Sequence, residues 1–307
     1  MKLSLADIHC DTAYEMFMSS QSFFDNSLSI SLKLTECFEK YIQVLAIWSD
    51  KRLDNDLAYF RFFQILKYLK KDIFSNASYD MLDLTDFEKD VSLIISLEDA
   101  RILNNDLSRL YSVYEQGVRI ITFLWSGRSC IGGAYDTDCG LTEFGRSAVL
   151  KASELGIIPD ISHASLQSSF DIFDLCEGQI PVIASHSNSF KIYPHPRNLT
   201  DEQFEYVKAH GGLVGINLCR EHLCPLDENT STAIVLRHIE HYLSLGGENT
   251  VCFGCDFDGA NTPNEFKNIS SLSLIAEEMA KLNYNNDIIN KIFYLNAKNF
   301  ISKNINQ

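Results

Sequence analysis

No stretch of this 307-residue chain approaches the roughly 18 uninterrupted apolar residues that a transmembrane helix requires, which excludes a helical span and predicts a soluble protein. Basic residues are in short supply: 26 Lys and Arg stand against 41 Asp and Glu, a formal charge of −15. That balance repels a phosphate backbone and an anionic lipid surface alike, so neither nucleic acid nor membrane is expected as a partner. No Pro/Gly/Ser-rich linker or low-complexity tract divides the chain. The start, Met1 to Asp7, lacks a long apolar core and a small-residue cleavage site, so no secretory leader is predicted. Cysteine is present but odd in number, nine scattered along the chain, which suits free thiols in a reducing cytoplasm better than a disulfide framework.

What is there is a rhythm of short apolar runs. Strands are expected at Leu5 to Cys10, Tyr41 to Trp48, Val91 to Leu97, Val118 to Leu124, Ile157 to Ser162, Pro181 to Ser185, Gly212 to Leu218 and Val251 to Phe257. Amphipathic stretches lie between them; Phe62, Ile65, Leu66, Leu69 and Ile73 make one apolar helix face, with Lys67, Lys70 and Lys71 turned outward. Eight such strands alternating with helices predict an α/β protein, a (β/α)8 TIM barrel of the amidohydrolase-like kind, as one domain over 1–307 with a C-terminal helical tail. An open doubly wound sheet is the alternative. The polar, glycine-rich segment Ser129 to Gly140 is expected to loop over the barrel mouth.

In such a barrel the chemistry gathers at the carboxyl ends of the strands. His9 and Asp11 close the first run; two apart on a strand, they project together, and an imidazole beside a carboxylate is half of a metal site. Glu98 closes the third run, Trp125 follows the fourth, His163 closes the fifth, His186 the sixth and Asp256 the eighth. Taken singly, each has a plain explanation: Asp11 or Glu98 could cap a helix, and a lone histidine could serve as a loop hydrogen-bonding group. Taken together, three imidazoles and three carboxylates converge on one rim. One zinc needs three protein ligands and a water, whereas His9, Asp11, His163 and His186 with both oxygens of Glu98 suffice for two metals.

These residues resemble the membrane dipeptidase family, binuclear zinc hydrolases with an amidohydrolase-like barrel. The resemblance rests on His9-Cys10-Asp11, Glu98, Gly140-Leu141-Thr142-Glu143-Phe144-Gly145, Asp160-Ile161-Ser162-His163, Ser185-His186-Ser187-Asn188, Pro196-Arg197-Asn198-Leu199-Thr200-Asp201 and Asp256-Phe257-Asp258-Gly259, in the family's order. It implies two Zn2+ per chain, bridged by Glu98, with His9 and Asp11 completing one site and His163 and His186 the other. Arg197 would hold the carboxylate of a dipeptide through its forked donors. Asp256 would contact the substrate amino group and pass a proton from the attacking water to the leaving amine, so that Glu98 and Asp256 carry the catalysis. The resemblance also implies a homodimer. Trp125 departs from the mammalian pattern, which has a substrate-binding histidine there; an indole offers one N–H and an apolar wall, and can equally be rim packing. A non-dipeptide amide, lactam or modified peptide is therefore the alternative substrate.

Other residues are set aside. Cys252 and Cys255 are expected on opposite faces of one strand and His238 and His241 on a solvated helix face; His195 lies in the Arg197 loop, and His210 and His222 lack an evident partner. Ser185 and His186, as strand neighbours, are expected to face apart and to form no nucleophile pair.

Overall fold

A computed structural model describes residues 2–74, 90–226 and 231–305. Seven parallel strands form one sheet: β1 Leu5–Cys10, β2 Tyr41–Ile47, β3 Val91–Glu98, β4 Val118–Thr122, β5 Ile158–Asp160, β6 Val214–Ile216 and β7 Val251–Phe253, in the order β5-β4-β3-β2-β1-β7-β6. Residues 182–185 lie between the two ends. Single parallel bridges, Asp160 to Ile183 and Ala184 to Val214, join them to β5 on one side and β6 on the other. The sheet is thereby curled shut into the expected barrel, but the sixth run forms no regular strand. The reason is local: Pro181 has no N–H to give, and the Ser185 amide donates to the Asp160 carboxylate at 2.8 Å instead of to a neighbouring backbone.

Helices alternate with the strands, and several begin where a side chain can cap them. Thr142 accepts from Gly145 N at the head of Glu143–Glu154, Ser165 accepts from Ser168 N before Leu166–Cys176, and Thr200 forms a capping box with Gln203 before Asp201–Ala209. Asn55–Phe74 buries Phe62, Ile65, Leu66, Leu69 and Ile73 against the outside of the sheet and leaves Lys67 and Lys71 exposed.

Inside the barrel a separate apolar cluster takes at least one residue from every wall segment: Ala6, Ile8, Ile42, Val44, Ile94, Ile120, Ile158, Ile183, Leu213 and Cys252. The C-terminal helix Asn296–Asn304 lays Ala297, Phe300 and Ile301 on that cluster, so the predicted tail is the barrel floor. Asn296 secures it by donating to Val251 O at 2.8 Å and Glu248 O at 2.9 Å. Among the described residues no helix is long and apolar enough to cross a membrane.

Candidate metal centre

Strict alternation along β1 would turn His9 away from the face that holds Ala6 and Ile8. A register shift against β2 between Asp7 and Cys10 reverses the parity, so Cys10 joins the outer core while the His9 ring points at the barrel axis. On β3 the register against β2 is unbroken from Val91 to Leu97, and the shift against β4 skips Arg119 on that neighbour, so Ile94 and Glu98 share the inner face. His163 and Asp256 follow β5 and β7 in left-handed backbone, with φ of 68° and 62°, a conformation costly for side chains other than glycine and concentrated at functional sites.

The six rim groups meet. Glu98 is the hub: its Oε2 lies 3.7 Å from His9 Nε2, and its Oε1 lies 3.2 Å from His163 Nε2 and 3.6 Å from His186 Nε2. His9 Nε2 is also 3.6 Å from Asp11 Oδ2 and 3.8 Å from Asp256 Oδ1. Two sets of ligand atoms, His9 with Glu98 and His186, and His9 with Asp11 and Asp256, each lie within 4.8 Å of one another. Asp256 thus stands closer to the ligand ring than a purely substrate-facing residue would.

Three buried carboxyl groups share this space and raise one another's proton affinity. Burial pushes Glu98 well above the usual carboxyl range, with Asp11 and Asp256 adding to the effect and His9 and Arg197 opposing it. Burial also lifts Asp256 to about 6, against the pull of His9. For His9 burial acts downward, yet Glu98, Asp11 and Asp256 outweigh it and bring the imidazole to about 10. Burial and the nearby positive charges of Arg197 and His9 hold His163 and His186 well below the ordinary histidine value.

The residues fit divalent cations on independent grounds. His9 Nε2, His186 Nε2 and Asp11 Oδ1 are buried without any hydrogen-bond partner, a costly state for a polar atom unless something else satisfies it. Asp11 sits at a helix N-cap position but caps nothing, and Asp99, not Glu98, caps the turn after β3, so the capping explanation for these acids fails. A β-carbon on Gly259 would collide with the Asp11 carboxylate and lie 2.8 Å from Asp256 Oδ1, so only glycine lets the 256–259 loop close over the cluster.

Around the centre is a cavity of about 300 Å³ lined by Asp11, Glu98, His163 and Asp256 on one side and by Tyr14, Trp48 and Trp125 on another. The Trp48 and Trp125 rings lie 5.1 Å apart. Trp125 also has a role that its side chain does not suggest: its carbonyl accepts from His163 Nδ1 at 2.8 Å, leaving Nε2 facing Glu98. Arg197 is 3% exposed, has no carboxylate partner among the described residues and keeps a buried Nε unpaired, so it is not a surface ion pair. It lines an adjoining cavity of about 240 Å³ that shares His163 with the first, and its guanidinium lies 5.7 Å from the Tyr135 ring centre. Tyr135 belongs to the 129–140 loop, which donates Tyr135 N to His163 O at 2.8 Å and so reaches the mouth as expected.

Three expectations are corrected. Ser185 and His186 do not face apart: Ser185 Oγ is 2.7 Å from His186 Nδ1, because the chain leaves regular strand geometry there. The hydroxyl is committed to Asp160, so it is still no nucleophile. His238 is fully buried, not on a solvated face, with Nδ1 accepting from Ser189 N and Nε2 donating to Leu223 O. Its helical neighbour His241 pairs with Asp201 at 2.7 Å. His222 gains a partner in the ring of His195, 4.7 Å away, while Cys252 and Cys255 fall into opposite core clusters as expected.

Asp160, Ser185, Asn217 and Trp48 escaped the sequence reading as site residues. Trp48 closes an apolar run as the rim residues do, so its signal was present, whereas Asp160 lies inside the fifth run and only the structure ends β5 there. Asn217, which donates to Asp256 Oδ2 at 3.1 Å and to His186 O at 3.3 Å, had none.

A family model described as membrane dipeptidase (peptidase family M19) matches residues 2–304. The chain belongs to this family of metallo-dipeptidases. Among curated proteins it is 28% identical over 220 residues to an uncharacterized protein from the pqqA 5′ region of Klebsiella pneumoniae, covering 68% of this chain and 80% of that one. An uncharacterized dipeptidase of Schizosaccharomyces pombe is 28% identical over 218 residues, which span 67% of this chain but 51% of the yeast protein. Among solved structures, the dipeptidase AC of family M19 superposes with a TM-score of 0.91 at 22% identity over 100% of both chains. A Rhodobacter sphaeroides metallo peptidase, solved with a phosphinate mimic of the dipeptide L-Ala-D-Ala, gives 0.87 at 21% over 99% of this chain and 100% of that one. At these identities the superpositions establish the fold.

Proposed function

We propose that this protein is a two-zinc dipeptidase that hydrolyses the peptide bond of short dipeptides, those with a C-terminal D-residue included. The observation that carries the reading is the double-sided Glu98, one oxygen toward His9 and the other toward His163 and His186. Two divalent cations held by His9, Asp11, Glu98, His163 and His186 would supply an activated water and polarise the carbonyl to be attacked. The protein's own groups do the rest. Arg197, buried with a free Nε, receives the substrate carboxylate as a forked donor and so sets how far the scissile bond lies from the chain end. Asp256, brought to about 6 by burial, can accept a proton from the water and return it to the departing amine near neutral pH. Asn217 holds that carboxylate in place. Trp48 and Trp125 form an apolar wall for a substrate side chain.

The dipeptide mimic bound by the Rhodobacter sphaeroides relative supports the substrate class. We further propose that residues 1–307 act as one barrel unit, that the enzyme is cytoplasmic and that it is a homodimer. The indole wall favours one competing reading, a bulkier amide or lactam as substrate. Metal analysis of the purified chain, with hydrolysis assayed on L,L- and L,D-dipeptides and on non-dipeptide amides, separates them. Two zinc ions and dipeptide turnover are expected; turnover of the amides alone would replace the substrate, and no turnover of either would end the hydrolase reading.

A further inference from the structure

Beneath the rim lies a buried polar layer that ordinary barrel packing does not call for. Thr122 at the end of β4, Asp160 at the end of β5, and Ser162 and Ser185 beyond them are all nearly inaccessible. Asp160 organises the layer. Its Oδ1 accepts the backbone amides of Ser162 at 2.9 Å and Ser185 at 2.8 Å, and its Oδ2 accepts the hydroxyls of Thr122 and Ser185, each at 2.5 Å. A serine hydroxyl has one proton, and that of Ser185 is spent on Asp160. The contact of 2.7 Å between Ser185 Oγ and His186 Nδ1 must then run the other way, with Nδ1–H donating. The neutral ring is left with its lone pair on Nε2, the atom that faces Glu98 without any hydrogen-bond partner.

We infer that Asp160, acting through Ser185, is a positioning residue that selects the His186 tautomer able to bind a cation. The inference rests on the metal-centre reading above. Its physical basis is that a metal-binding imidazole is oriented, and its tautomer chosen, by the hydrogen bond at its other nitrogen. Three elements contribute, since Thr122, Asp160 and Ser185 come from successive wall segments of the barrel. The same contacts account for the interrupted pairing at 182–185, where the Ser185 amide leaves the ladder for Asp160. A purely structural layer would need satisfied hydrogen bonds but not this polarity.

Asp160→Asn tests the polarity while keeping the shape. An amide nitrogen at the Oδ2 position donates to Ser185 Oγ, which frees the serine proton to point at His186 Nδ1 and moves the ring proton to Nε2. Long-range 1H–15N correlation spectra of the metal-free protein are expected to show His186 protonated on Nδ1 in the wild type and on Nε2 in D160N. Titration with Co2+, followed by visible absorption, is expected to show one of two binding steps weakened by about 10–100-fold, with the other nearly unchanged. Should D160N fold poorly, Ser185→Ala is measured in the same way; it removes the acceptor and is expected to leave the two tautomers mixed. A wild-type ring protonated on Nε2, or variants that lower the melting temperature while tautomer and both Co2+ steps stay as in the wild type, would overturn the inference. If wild type takes up no Co2+, the metal-centre reading fails by itself, and the spectra alone still decide what Asp160 does to the ring.

Discussion

The two ends of this barrel are built from the same strands and could hardly differ more. At the amino end Ile94, Ile120, Ile158, Ile183 and Leu213 meet the C-terminal helix in a dry cluster whose only requirement is to be filled. At the carboxyl end, a few residues further along those segments, Glu98 and His186 are buried just as thoroughly and His163 largely so, yet Glu98 is crowded by two further carboxyl groups, His186 Nε2 has no hydrogen-bond partner and His163 takes left-handed backbone. The floor lowers the free energy of the fold, and the rim raises it. A chain keeps such a rim only if something absent from the polypeptide completes it.

The sharpest way to break this contrast is Glu98→Gln. It removes the one carboxylate that faces both histidine groups, so cation loading and peptide hydrolysis are expected to fall below detection while the thermal midpoint of the metal-free chain holds or rises. A metal-free E98Q that unfolds readily would mean that Glu98 belongs to the scaffold. Asp256→Asn comes next. It is expected to lower kcat by about 10²–10⁴-fold with both cations still bound, as measured by metal analysis beside steady-state kinetics. Loss of a cation together with activity would make Asp256 a ligand first, an outcome to which its 3.8 Å approach to His9 Nε2 gives physical sense.

At the opposite end, Phe300→Ala is expected to cost about 3 kcal/mol in denaturant unfolding, through lost burial and the cavity left in the floor, with kcat/KM unchanged below the midpoint. A strong loss of activity in the folded variant would show the two ends to be coupled. The smallest effect is reserved for the wall. Trp125→His leaves the carbonyl that orients His163 in place, so it is expected to alter the kcat/KM ratio between L,L- and L,D-dipeptides by about 10-fold, with metal content unchanged.

Legibility in the sequence followed the same division. Apolar runs disclosed the walls, because a strand buried on both faces is apolar along most of its length, as β2 is from Tyr41 to Ile47 save for Gln43, which donates to Asp7. The rim residues were legible because an ionisable group closing such a run has no packing reason to be there. What stayed hidden depends on contacts between segments far apart in the chain. His238 looked like one of a pair on a wet helix face, yet Ser189 and Leu223, 49 and 15 residues away, enclose it. Asn217 gave no hint because its importance lies in touching Asp256, 39 residues later.

Composition, periodicity and the order of polar residues at strand ends pointed to an acidic α/β protein, a barrel before an open sheet, with its imidazoles and carboxylates gathered at one rim. They act locally or additively, and any chain with that pattern must bury those faces. Only the folded chain could decide that a register shift at β1 aims His9 inward, that Glu98 divides its oxygens between two groups, and that Asp160 reaches His186 through Ser185. Those are questions of direction at the scale of one hydrogen bond, and a direction in space is settled only when every neighbouring strand has taken its place.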